Sequence, residues 1–112
     1  MCDYQQPRRT PRYKFFAPAE IILEDSGSAK RCHVKELSLY GCYLDCIEPL
    51  SPKTHVLIKI FNDHEYFEAA GNVIYFHPTL GIAIGFRDVR PAFAEVLRGW
   101  LLKAMNDTKE VG

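Results

Sequence analysis

The sequence predicts a mainly-β domain: six short strands closed into an antiparallel barrel, followed by one C-terminal α-helix. Three observations carry that prediction. From Tyr13 to Phe86, apolar residues alternate with polar ones or bunch in short runs, and Gly, Pro, Asn and Asp interrupt them at short intervals. From Pro91 the period lengthens: Phe93, Val96, Leu97, Trp100, Leu101, Ala104 and Met105 recur at steps of one, three or four, one face of a helix. The chain has 112 residues, 47% of them hydrophobic and 12% aromatic, enough for one domain with one modest core.

Each element has its own local reason. Residues 1–12 are polar and broken by proline, and read as a flexible N-terminal arm, with residues 13–112 forming the barrel and helix. Tyr13 to Leu23 is rich in Phe, Ile and Leu, a long first strand; Pro18 inside it predicts an edge position or a bulge. Asp25-Ser26-Gly27-Ser28 is a turn. The second strand runs from Ala29 to about Leu37. In "ELSLYG", Glu36 to Gly41, the glycine stands where a strand must bend or restart, and Cys42 to Ile47 is a short third strand. His55 to Phe61 alternates, with Val56, Ile58 and Ile60 on one face and His55 and Lys59 on the other. Glu65 to Phe76 is a long fifth strand and Gly81 to Phe86 the sixth. Pro91 suits the first turn of the helix, which is expected over residues 91–106. Trp100 on its apolar face reads as core or interface.

Charge and composition narrow the function. Lys plus Arg equals Asp plus Glu at 14 each, a balance that disfavours binding to long nucleic acid but leaves room for a local basic site. No stretch approaches the roughly 20 apolar residues of a membrane span, and the polar N-terminus lacks the apolar region of a signal peptide, so a cytoplasmic location is expected.

The four cysteines, Cys2, Cys32, Cys42 and Cys46, form no C-x-x-C pair and are expected to be reduced, most of them buried. On one strand Cys42 and Cys46 would lie about 13 Å apart, too far for a disulfide, whereas Cys32 and Cys42 could face each other across a hairpin. No catalytic constellation stands out. Ser38 lacks a nucleophile-elbow pattern. Cys32 and His33 are strand neighbours and diverge, as do Glu65 and Glu68, and His33, His55, His64 and His77 are scattered. The expectation is a protein that is not an enzyme and holds no metal or cofactor.

Two motifs remain. The first is "RRTPR", with Arg8, Arg9 and Arg12 set between prolines; alone it reads either as a solvated tail or as an arm that grips an anion. The second is "ELSLYG", with Glu36, Ser38 and Gly41. Their order and spacing resemble the PilZ domain family, whose signature is R-x-x-x-R in an N-terminal arm and then [D/N]-x-S-x-x-G at a strand junction of a six-stranded barrel. "GNVIYF" (Gly71 to Phe76) and "GIAIGF" (Gly81 to Phe86) look like that family's glycine-led strand and its strand ending in phenylalanine.

The resemblance implies a PilZ-type six-stranded barrel that binds the bacterial second messenger cyclic di-GMP. Arg8 and Arg12, with Arg9 as an extra cation, would hold phosphate and guanine, Ser38 would hydrogen-bond the ligand, and Gly41 would let the backbone turn tightly and the base approach closely. Position 36 departs from the signature: it is glutamate, which keeps the acceptor but adds one methylene. Asn72 follows the strand-leading glycine, where a longer basic residue is common in the family, and could offer the ligand a short amide. The resemblance further implies a monomer or weak homodimer that relays its signal to an unidentified effector protein by ordering the arm, in motility or biofilm regulation. The alternative it leaves is a PilZ-like adaptor that binds proteins and not the nucleotide. A small barrel binding single strands through Tyr13, Phe15 and Tyr43 is a third reading, which the neutral charge disfavours.

Overall fold

The computed structural model describes residues 11–46 and 49–111, with side chains described as far as residue 107. Six strands and a helix follow one another: β1 (Tyr13–Leu23), β2 (Ala29–Ser38), β3 (Gly41–Leu44), β4 (His55–Asn62), β5 (Glu65–His77), β6 (Gly81–Asp88) and α1 (Pro91–Val111). The strands close into an antiparallel barrel in the order β1-β2-β3-β6-β5-β4. Closure leaves no long sheet edge for another chain to pair with.

Alternation builds the core. Ile21, Val34, Leu37, Leu44, Val56, Ile58, Ile60, Phe67, Val73, Ile82 and Ile84 point inward and are essentially inaccessible. Their polar neighbours face out, as the two-residue period of a strand requires. The helix caps the structure along β5 and β1. Leu97, Trp100, Leu101 and Ala104 supply its buried face. Trp100 stacks on Phe15 with ring centroids 5.2 Å apart, and its indole N–H donates to Glu65 Oε1 at 2.6 Å. The indole therefore buries its apolar body while its one donor stays paired.

Four strand irregularities set which side chains look outward. In β1 the register slips between Lys14 and Ala17, so three residues there span what two span in β2. Phe15 turns toward the helix, whereas Phe16 is exposed and stacks flat on His33. Pro18 follows this bulge, one residue before the β1–β4 ladder opens at Ala19↔Ile60. Its missing N–H thus falls where no β4 partner is paired. Further slips insert Lys35 into β2, Ile74 into β5 and Arg87 into β6.

Some boundaries differ from the sequence reading. β3 ends at Leu44, with Ile47 outside the described residues, and α1 continues past residue 106 to Val111. Cys42 does not face Cys32 across a hairpin: it pairs with Leu37. The partner of Cys32 is Cys46, brought near because Asp45 N–H donates to the His33 carbonyl at 3.0 Å. Cys32, Cys42 and Cys46 are all buried free thiols. Burial first, and then the neighbouring Cys46 and Asp45, push the Cys32 thiol up to about 12; burial also raises Cys42.

Gly81 opens β6 at φ +120°, and a Cβ there would meet the Leu44 carbonyl oxygen at 1.9 Å. Both the backbone conformation and the space exclude a side chain. Gly81→Ala is expected to cost about 3 kcal/mol, read as a lowered midpoint in urea at unchanged slope. Because their thiols are covered, Cys32, Cys42 and Cys46 are expected to resist a thiol reagent at pH 8 until denaturant is added, and the raised thiols of Cys32 and Cys42 add to that resistance.

Candidate functional site

The site begins at the hairpin between β2 and β3. Only Leu39 and Tyr40 separate the paired residues Ser38 and Gly41. The Ser38 hydroxyl accepts from Tyr40 N–H at 3.2 Å and donates to the Gly41 carbonyl at 3.4 Å, fastening the turn on itself. Gly41 is needed for a reason the sequence did not disclose. Among the described residues the glycines with positive φ are Gly27 and Gly81, so Gly41 does not serve a left-handed turn. Instead, a Cβ at Gly41 would lie 2.2 Å from the Ile84 carbonyl oxygen, so its bareness lets β3 lie against β6.

From this hairpin a row of residues crosses the outside of the barrel. Ser38 pairs with Gly41, Gly41 with Gly85, Gly85 with Asn72 and Asn72 with His55. Residues paired across antiparallel strands share a face. A second row lies beside it: Lys14, Glu36, Tyr43, Ala83 and Tyr75. Ala83 is small enough for Tyr43 and Tyr75 to meet over it, with ring centroids 6.3 Å apart. Partial burial, with Tyr75 and Glu36 adding, raises the Tyr43 phenol above its ordinary value, which keeps it a neutral hydrogen-bond donor. Ile74, the inserted residue of β5, covers Gly85.

Charge sits at both ends of this face. At the β1 end, Arg12 Nη1 is 3.9 Å from Glu36 Oε1, both side chains being a little over 40% exposed. Such a pair is worth under about 1 kcal/mol and yields easily to a stronger partner. At the β5 end, Asn72 Oδ1 accepts from Arg87 Nε at 3.1 Å, and Arg87 Nη2 meets Glu24 Oε2 at 2.7 Å.

The structure therefore gathers Arg12, Glu36, Ser38, Gly41 and Asn72 on one outer face. Arg8 and Arg9 lie outside the described residues. Arg12 also borders a groove of about 790 Å³ between the start of β1 and α1, lined by Lys14, Phe15, Trp100 and Lys103. The other expected residues stand on the open barrel wall, away from that groove. The sequence reading missed Tyr75, Arg87 and Glu24 as parts of this face. The placement of Tyr75 and Arg87 depends on the inserted residues of β5 and β6, which shift register without leaving a pattern in the sequence, and Glu24 joins the face from the turn after β1 through Arg87. Cations, acceptors and flat rings on one surface are the groups that hold an anionic ligand with planar parts.

The two hairpin residues can be separated by mutation. Ser38→Ala removes one turn hydrogen bond and is expected to cost about 1 kcal/mol. Gly41→Ala drives β3 from β6 and is expected to cost about 2–3 kcal/mol. Urea titration of both variants reads the difference.

The PilZ domain family model matches residues 6–103. Among solved structures, the PilZ domain of YcgR from Escherichia coli, solved with c-di-GMP, superposes with a TM-score of 0.72 at 19% identity, covering 94% of this chain and 96% of that one. The PilZ domain of CeSA from a cellulose-synthesizing bacterium gives 0.65 at 22% identity, over 80% and 96%. The Bacillus subtilis inhibitor of motility MotI/DgrA gives 0.70 at 15% identity, over 90% and 53%. No curated protein matches the chain. With the family match spanning nearly all of a closed six-stranded barrel and its helix, the chain belongs to the PilZ domain family.

Proposed function

We propose that this protein is a non-enzymatic receptor for cyclic di-GMP. The observation that carries the reading is the convergence of Arg12, Glu36, Ser38 and Gly41 on one outer face beside Tyr43 and Tyr75. Arg12, joined by Arg8 and Arg9 from the arm, takes a phosphate or the O6/N7 edge of guanine through paired N–H donors. Glu36 accepts from guanine N–H groups, Ser38 offers its hydroxyl, and Gly41 lets β3 lie against β6 so that the hairpin keeps its place beside them. Asn72 stands at the far end of the same face, its side-chain oxygen accepting from Arg87. The fold neighbour YcgR was solved with c-di-GMP on its own PilZ domain, which supports this ligand.

Binding exchanges the weak Arg12–Glu36 pair for contacts with the ligand. The arm is thereby ordered against the barrel, and the surface beside it becomes what an effector protein reads. Among the described residues no helix is long and apolar enough to cross a membrane. The receptor is read as cytoplasmic and as a monomer or weak homodimer.

The adaptor reading is favoured by one observation: Glu36 and Arg12 already satisfy each other, and the position expected to be Asp or Asn carries the longer side chain. The likeness to MotI/DgrA, an inhibitor of motility, fits either reading.

Calorimetric titration with cyclic di-GMP, with GTP as control, separates them. Selective binding at micromolar ligand or below is the expected result; no heat and no amide shift at millimolar ligand would leave the adaptor. Arg8→Ala and Arg12→Ala are each expected to abolish binding with the melting temperature unchanged. Glu36→Asp is expected to tighten binding about tenfold, the low end of a bidentate base contact.

A further inference from the structure

We infer that Arg87 is a second anion-holding residue of this face, set in place by Asn72 and Glu24. The inference rests on the receptor reading above and names a residue that the arm-and-hairpin motifs do not include.

Ala70 pairs with Asp88 and Gly71 with Phe86, so Arg87 is the extra residue of a β-bulge in β6. A bulge breaks the alternation of a strand and re-aims one side chain, and bulges collect beside functional sites. Here it sends a guanidinium across β5 to the row that contains Ser38, Gly41, Gly85 and Asn72. Asn72 Oδ1 holds Nε at 3.1 Å, and Glu24 Oε2 holds Nη2 at 2.7 Å. One contact comes from β5 and the other from the turn after β1, and together they fix the plane of the fork. A guanidinium has five N–H donors, so further ones remain for a ligand. The Arg87 side chain is 37% exposed, open enough to be reached and held firmly enough to lose little freedom on binding.

The position of the fork matches a ligand with two anionic groups. Ser38 and Asn72 are three strand-to-strand steps apart, roughly 14 Å at about 4.8 Å per step. Arg12 lies near the first end and Arg87 near the second, with Tyr43, Tyr75 and Ile74 between them. One cation at each end of a strip bordered by the rings of Tyr43 and Tyr75, with Ile74 covering Gly85 between them, suits a compact molecule carrying two phosphates and two bases. In this arrangement Asn72 is a positioning residue, and its effect on binding runs through Arg87.

The test is calorimetric titration of the full chain with cyclic di-GMP for wild type, Arg87→Ala, Arg87→Lys, Asn72→Ala and the double variant Asn72→Ala with Arg87→Ala, each checked by thermal melting. Arg87→Ala is expected to weaken binding at least tenfold. Arg87→Lys should fall between, since lysine keeps the charge and the Glu24 pair but not the fork. Asn72→Ala should weaken wild type and add nothing to Arg87→Ala. Wild-type affinity in Arg87→Ala, or in Arg87→Lys if the alanine variant fails to fold, overturns the role of Arg87 and leaves the receptor reading standing. Additive losses in the double variant overturn the positioning role of Asn72. No binding by wild type defeats the receptor reading itself, and the role of Arg87 with it.

Discussion

The structure depends on β1 being shared. Its first half pairs with β2 and its second half pairs with both β2 and β4, and the barrel closes only because one strand does both. A strand bent far enough to do this cannot keep a regular pleat. The slip between Lys14 and Ala17 supplies the bend, and the proline that follows occupies the one stretch where β4 asks for no N–H. Everything on the outer face follows from that closure. It turns the start of β1 toward the helix, and brings Lys14 opposite Glu36 and Arg12 within reach of it.

The same irregularities divide the molecule into a rigid interior and a readable exterior. The core is mostly aliphatic, with Phe67 and Trp100 as its large aromatics and Cys32, Cys42 and Cys46 among its smaller members, and no buried polar or charged residue interrupts it among the described residues. Polar chemistry is confined to the wall. There the inserted residues Lys35, Ile74 and Arg87 join the slip in β1 as departures from alternation. A packed interior changes little when a ligand touches the wall. The parts that can respond are those held by weak exposed pairs, above all Arg12 with Glu36.

Much of this was legible in the sequence. Val56, Ile58 and Ile60 at every second position of "HVLIKIF" made β4 plain, and the change of period at Pro91 marked the helix. These signals work because burial on one face is the strongest constraint on an amphipathic segment. The site was legible in part: Ser38 and Gly41 stood out by spacing, but the reason for Gly41 did not, since a collision with the Ile84 carbonyl is a fact about a strand far along the chain. Cys32 and Cys42 could not be paired or separated without the register, which gave Cys42 to Leu37. Arg87 reads in sequence as one more surface cation. Only the bulge shows that it belongs with Asn72.

The packing of Trp100 gives the molecule an internal optical reporter. It is the chain's single tryptophan, stacked on Phe15 and lining the groove that Arg12 borders. Light emitted by this indole comes from one place, the junction of the start of β1 with α1. Its neighbours there, Phe15 and Glu65, belong to the first strand and to the start of the fifth. Movement of the start of β1 relative to the helix therefore changes the surroundings of the only strong emitter in the protein. The residue that seals the core also makes that junction visible in solution, with no label added.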